Sequence, residues 1–99
     1  MAKVVFRKKA VEDLNDIWTY TFNEWSEEQA DKYYEILESA CLKIGRNPRI
    51  GKSYKEIHTG LLGFGTEKHI IFYQINEIDE IEVIRILHKQ MDLKNRILD

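Results

Sequence analysis

The sequence is short of most things that would mark an exported, membrane-bound or nucleic-acid-coating protein. One cysteine, Cys41, among 99 residues leaves no partner for an internal disulfide. One proline, Pro48, and five glycines are too few for a Pro/Gly-rich linker, and no repeat or low-complexity segment is present. No apolar run approaches the roughly 18–20 residues of a membrane span. The opening Met-Ala-Lys-Val-Val-Phe-Arg lacks the apolar centre of a secretory signal. These absences predict a soluble cytoplasmic protein without direct membrane contact. Basic surplus is missing too: 17 acids outnumber 15 bases, whereas proteins that grip phosphate backbones carry excess positive charge. There is no phosphate-binding glycine loop, and His58, His69 and His88 lie too far apart for a metal-type spacing. No metal or cofactor is expected.

What is present is 43% apolar residues, enough for one domain over residues 1–99 with a core of its own. Lys3 to Phe6 reads as a short strand. The apolar period then changes to that of a helix: Val11, Leu14, Trp18, Thr21, Phe22 and Trp25 share one predicted buried face, widened by Ile17 and Tyr20. No good N-cap precedes it. Ser26-Glu27-Glu28-Gln29 matches a capping box. The second helix that it opens buries Ala30, Tyr33, Leu37, Ala40, Cys41 and Ile44, with Gly45 as the residue just past its end and Pro48 as a stop. The short link makes the two helices an antiparallel hairpin.

Charge is unevenly spread. Residues 8–44 set four lysines against nine acids, while 45–55 hold Arg46, Arg49, Lys52 and Lys55 and no acid. That basic loop reads first as a solvated loop and second as a local phosphate contact. Leu61 to Gly65 is a short predicted strand. His69–Ile75 and Ile81–His88 then form a hairpin across the polar break 76–80. Alternation puts Ile71, Tyr73 and Ile75 on one face of the first strand and Ile70 and Phe72 on the other; on the second strand Val83 and Leu87 oppose Ile84 and Ile86. The tail offers a short helix through Leu93, Ile97 and Leu98. The whole is predicted as an α+β two-layer domain, with the helical hairpin packed on one face of a small antiparallel β-sheet. The other face then needs cover from the tail or from a partner. Trp18, Leu37 and Phe72 are expected in the core.

Few residues suggest chemistry. Arg85, mid-strand on the face of Val83 and Leu87, demands a partner, either a helix carboxylate or loop carbonyl within the chain or the carboxylate or phosphate of a target. His88 at the strand end either bonds backbone or serves acid–base work. Tyr73 and Cys41 read as core residues.

These features together resemble the ParE branch of the RelE/ParE superfamily, the toxins of bacterial toxin–antitoxin pairs. The resemblance runs over about 80 residues: Ala10, Asp13, Leu14 and Ile17; Ala30 and Tyr33; Pro48-x-x-Gly51; Gly60-Leu61; His69-Ile-Ile-Phe-Tyr73; and Arg85-Ile-Leu-His88 with Met91-Asp92. It implies a toxin that blocks DNA gyrase by contact, without chemistry of its own. It also implies a ParD-like antitoxin lying across the toxin, as a dimer or heterotetramer that meets DNA only through the antitoxin. Arg85, His88, Tyr73, His69 and Met91 become candidate target- or antitoxin-binding residues. Leu62 stands where ParE members commonly have arginine, which raises the alternative of an inactive relative that keeps antitoxin binding. A second alternative is a RelE-like messenger-RNA endoribonuclease with Arg85 and His88 as catalytic residues. His69 and Gln90 then stand where such nucleases typically carry arginine.

Overall fold

The hydroxyl of Ser26 accepts the Gln29 N–H at 3.1 Å, so the second helix starts where its capping box predicts. In the computed structural model, which describes residues 1–98 without the Leu98 side chain, eight elements follow in order. They are β1 (Val4–Phe6), α1 (Lys8–Glu24), α2 (Glu27–Arg46), β2 (Lys52–Ser53), β3 (Leu62–Gly65), β4 (His69–Ile75), β5 (Ile81–His88) and α3 (Leu93–Leu98). The predicted role of Leu98 in the tail lies outside the described residues. The strands form one sheet in the order β1-β5-β4-β3-β2. All neighbours are antiparallel except β1, which joins β5 in parallel. The hairpin turn is held by Asn76, whose Oδ1 accepts the N–H groups of Ile78 and Glu80.

α2 behaves as its pattern predicts. Tyr33, Leu37, Ala40 and Ile44 are buried against Ile71, Tyr73, Ile81, Val83 and Ile86 of the sheet, and Ala30 is buried as well. Its end differs: Gly45 is helical rather than past the helix, and Asn47 is the C-cap. A Cβ at Gly45 would come within 3.3 Å of the Ala2 carbonyl oxygen and the Val4 methyl, so glycine there lets β1 approach the helix.

α1 departs from its pattern. Its packed side is Ala10, Leu14 and Ile17. Val11, Tyr20, Phe22 and Trp25 are exposed, and Trp18 is half-buried on the hairpin surface instead of in the core. Ala10, Leu14 and Ile17 form one stripe at three- and four-residue spacing, and the large aromatics one step round the helix fall outside it.

The second sheet face is covered from within the chain. Leu61, Ile70, Phe72 and Leu87 pack with Tyr54 and Ile57 from the β2–β3 link and with Leu93 and Ile97 of α3. Tyr54 sits edge-on to Phe72 at 5.1 Å, and it reaches that place because residue 63 is glycine; a Cβ there would lie 2.6 Å from its ring. The tail therefore shares the covering with a link that shows no periodicity.

Strict alternation fails once, on β5. The pairing slips between Phe72↔Arg85 and Tyr73↔Val83, so an extra residue bulges at Ile84. Val83 and Ile86 consequently face the helices, while Ile84 and Leu87 face the other side. The predicted partition of Val83 with Leu87 and Ile84 with Ile86 is corrected by that one inserted residue.

Candidate functional site

The bulge aims Arg85. β1 pairs with β5 only as far as Val83, which leaves the outer edge of β5 without a strand neighbour beyond that point. Asp13 of α1 fills the place. Its carboxylate accepts the Ile86 N–H at 2.9 Å, Arg85 Nε at 2.8 Å and Arg85 Nη2 at 3.0 Å. The two side chains are only 13% and 12% exposed, so the pair is screened little by water. Arg85 Nη1 donates to the Arg96 carbonyl at 2.8 Å, which ties α3 into the same joint. Arg85 thus finds a helix carboxylate and a carbonyl inside the chain. The planar fork can serve both together because its donors are fixed in geometry. Asp13, which by sequence is one of many acids on a helix, is the partner; its position three residues after Ala10 on the packed side of α1 is the signal that marks it.

A second cluster lies at the far end of β4 and β5, under α2. His69 and His88 pair across the strands with ring centroids 5.2 Å apart. The Tyr33 hydroxyl meets His69 Nδ1 at 2.7 Å and Thr66 Oγ1 at 3.1 Å, and accepts the Lys68 N–H at 3.3 Å. Burial, with His88 and Lys68 nearby, pulls the His69 pKa down to about 4, against a smaller opposing pull from Asp13. His69 is therefore neutral at physiological pH. His88 Nδ1 accepts the Gln90 N–H at 3.1 Å, so its neutral ring carries the proton on Nε2. Tyr33 and Thr66 escape a sequence reading of the site because Tyr33 falls in the apolar stripe of α2. Its hydroxyl was the only hint. The cluster joins a neutral imidazole, a phenol and a hydroxyl, a set suited to hydrogen bonding or proton movement. Among the described residues no group of three or more His, Cys, Asp or Glu side chains converges as metal ligands would.

The remaining candidates are scattered. Tyr73 is fully buried, which removes it as a contact for any target. Its hydroxyl donates to the Pro48 carbonyl at 2.8 Å and accepts the Gly51 N–H at 2.9 Å, so it holds the start of the basic loop. Burial raises its pKa, with the Gly51 hydrogen bond and the Arg49 charge opposing. Arg46, Arg49, Lys52 and Lys55 are all exposed, and Lys52 lies 5.5 Å from the centre of the Tyr54 ring. Lys52 is on β2, three strand positions from Arg85 on β5, so the basic loop and the Arg85 joint form separate surfaces. Met91 is exposed beside the turn that follows His88, where its N–H donates to the His88 carbonyl. Leu62 pairs with Tyr73 and packs on the helix-side core. Cys41 has its thiol pushed up to about 11 by burial and by Glu38, which makes it unreactive at neutral pH.

Comparison with known proteins agrees with this architecture. Residues 4–93 match the family model described as ParE toxin of type II toxin–antitoxin system, parDE. The chain is 33% identical over 84 residues to Toxin ParE1 of Mycobacterium tuberculosis, covering 85% of this chain and 86% of that protein. It is 31% identical over 87 residues to Toxin ParE1 of Caulobacter vibrioides, covering 88% of each. Toxin ParE of Escherichia coli is 28% identical over 99 residues, with 100% and 96% covered. Among solved structures, a chain of the chromosomal ParDE TA system from P. aeruginosa superposes with a TM-score of 0.77 at 18% identity, over 89% of this chain and 96% of that one. A chain of the toxin–antitoxin complex RelBE2 from Mycobacterium tuberculosis gives 0.68 at 16% identity, over 89% and 98%. The helical hairpin on its sheet is thus the fold of these toxins, and the extent of the sequence match shows that the chain belongs to the ParE toxin family of type II toxin–antitoxin systems.

Proposed function

We propose that this toxin inhibits DNA gyrase through protein–protein contact in the cytoplasm and is neutralised by a ParD-like antitoxin, through which alone the complex touches DNA. Family membership supports the class. The observation that favours contact over chemistry is the Arg85–Asp13 joint, because the one arginine of the central hairpin is spent on tying α1 and α3 to β5. Phosphoryl transfer on RNA needs cations aimed at the scissile phosphate as well as a base. With Arg85 held internally, the exposed Met91, the partly exposed His88 and the loop of Arg46, Arg49, Lys52 and Lys55 are the candidate contacts for gyrase or antitoxin. Supercoiling by purified gyrase is expected to stop as the protein is added, and co-purified ParD-like antitoxin to restore it. Gyrase that supercoils unhindered in a large excess of the protein would falsify the contact reading.

One observation keeps a RelE-like endoribonuclease as a second reading: the neutral His69 set edge-on to His88 with the Tyr33 hydroxyl at hand. That reading expects cleavage of ribosome-bound message, lost in His69→Ala and His88→Ala variants that keep the wild-type circular dichroism. In pulse labelling after induction of the protein alone, it expects protein synthesis to fall first, whereas the gyrase reading expects DNA synthesis to fall first. Leu62, packed on the core where family members commonly carry arginine, favours an inactive relative if growth continues undisturbed.

A further inference from the structure

We infer that His69 and His88 hold a zinc ion between the open ends of β4 and β5, with water filling its remaining positions. The inference depends on neither reading of the target. The histidines are far apart in sequence, but the sheet sets two of them side by side: His69 lies directly opposite His88 in the antiparallel register. His69 is two positions before Ile71 and His88 two after Ile86, so both rings fall on the helix-facing side of the sheet. Both are half-buried, within reach of water. Their ring centres are 5.2 Å apart with planes at 80°. An imidazole nitrogen binds Zn²⁺ at about 2.0–2.1 Å, which puts its ring centre about 3.2 Å from the ion, and two such rings at a tetrahedral angle have centres about 5.2 Å apart. The right-angled geometry of Cu²⁺ would bring them to about 4.5 Å. Mg²⁺ and Ca²⁺ call for oxygen ligands, which this pair lacks.

Counting protons shows which atom of His69 is free. The Thr66 hydroxyl gives its one proton to the His69 carbonyl at 3.1 Å. The 3.1 Å contact between Thr66 and Tyr33 must then use the proton of Tyr33. That leaves the Tyr33 oxygen as an acceptor, taking the Lys68 N–H at 3.3 Å and the Nδ1–H of His69 at 2.7 Å. His69 Nε2 therefore keeps its lone pair. A buried phenol behind Nδ1–H also fixes the ring, as the outer partners of metal-binding imidazoles do. His88 is less prepared, because its Nδ1 accepts the Gln90 N–H. On binding, its proton passes from Nε2 to Nδ1, and Gln90, which is exposed, bonds water instead. Of the charges near His69, Asp13 favours a cation and Lys68 opposes it, so coordination rather than net charge holds the ion.

The test is a titration of the full chain with Zn²⁺, followed by melting temperature and by nitrogen NMR of the imidazole rings. An ion that binds only the folded chain raises the melting temperature with its concentration. A saturable rise at one ion per chain is expected, with none from Mg²⁺. Both rings are expected to shift, and His88 to change tautomer. His69→Gln and His88→Gln are each expected to abolish the saturable rise, and His58→Gln to leave it unchanged. Tyr33→Phe keeps both ligands but is expected to lower affinity about tenfold or more. The inference is overturned if Zn²⁺ gives no saturable rise, or if the rise survives in His88→Gln. Loss of the rise in His58→Gln, or a shift of one ring alone, overturns it too. So does a free chain in which His69 carries its proton on Nε2, or a Tyr33→Phe variant that binds as the wild type does.

Discussion

α1 and α2 are both amphipathic, yet they are attached to the sheet by different means. α2 buries an unbroken apolar row, Ala30, Tyr33, Leu37, Ala40 and Ile44. α1 contributes a thin apolar side and is fastened by a polar joint, in which Asp13 takes two hydrogen bonds from Arg85 and one from the exposed edge of β5. Its large aromatics face outward. Helical periodicity thus reports which side chains share a face, and tertiary packing decides which of two faces is covered.

The comparison is open to direct attack. Leu37→Ala, at a fully buried position of α2, is expected to cost about 3–5 kcal/mol in chemical denaturation. Trp18→Ala removes a larger side chain from α1 but is expected to cost under about 1.5 kcal/mol, because the ring is already partly in water. Equal losses would show that α1 packs as α2 does.

Asp13→Ala tests the polar joint. It leaves the Arg85 guanidinium and the Ile86 N–H unpaired near the interior, and is expected to cost about 3 kcal/mol. Arg85→Lys is expected to recover little stability, since an ammonium lacks the fork that reaches both Asp13 oxygens and the Arg96 carbonyl. Hydrogen exchange should also show α3 opening first in Arg85→Lys.

On the other sheet face, Gly63→Ala is expected to cost about 1–3 kcal/mol by pushing Tyr54 off Phe72. A melting temperature within error of wild type would mean that the Tyr54 cover contributes nothing. The polar cluster at His69 is tested by pH. The unfolded chain takes up a proton on residue 69 near pH 6.5, which the folded chain refuses until about 4. The folded state is therefore fully favoured above about 6.5 and loses stability as the pH falls through this window. His69→Gln is expected to flatten that part of the profile, and a profile with the same slope in both proteins would remove His69 as its cause.

Much of the fold was legible because local signals agreed with one another. The capping box at Ser26, the buried row of α2, the hairpin from His69 to His88 and its polar turn all arise from interactions between residues close in sequence. The need of Arg85 for a carboxylate or a carbonyl was legible too, since a half-buried guanidinium cannot remain unpaired. Which carboxylate answers it was not, because Asp13 and Arg85 are 72 residues apart and meet only where β1 stops short.

The rest was decided in three dimensions. The bulge at Ile84 reversed the facing of half of β5, and no residue type there announces it. The side of α1 that carries Ala10, Leu14 and Ile17 met the sheet, which left Tyr20, Phe22 and Trp25 outward. The aperiodic link brought Tyr54 and Ile57 over the second sheet face. The sequence by itself determined the elements, their order and the kinds of partner each side chain needs, because propensity, capping and alternation act over a few residues. Only the tertiary structure decided which faces meet, because that depends on the summed volumes and edge positions of segments distant along the chain.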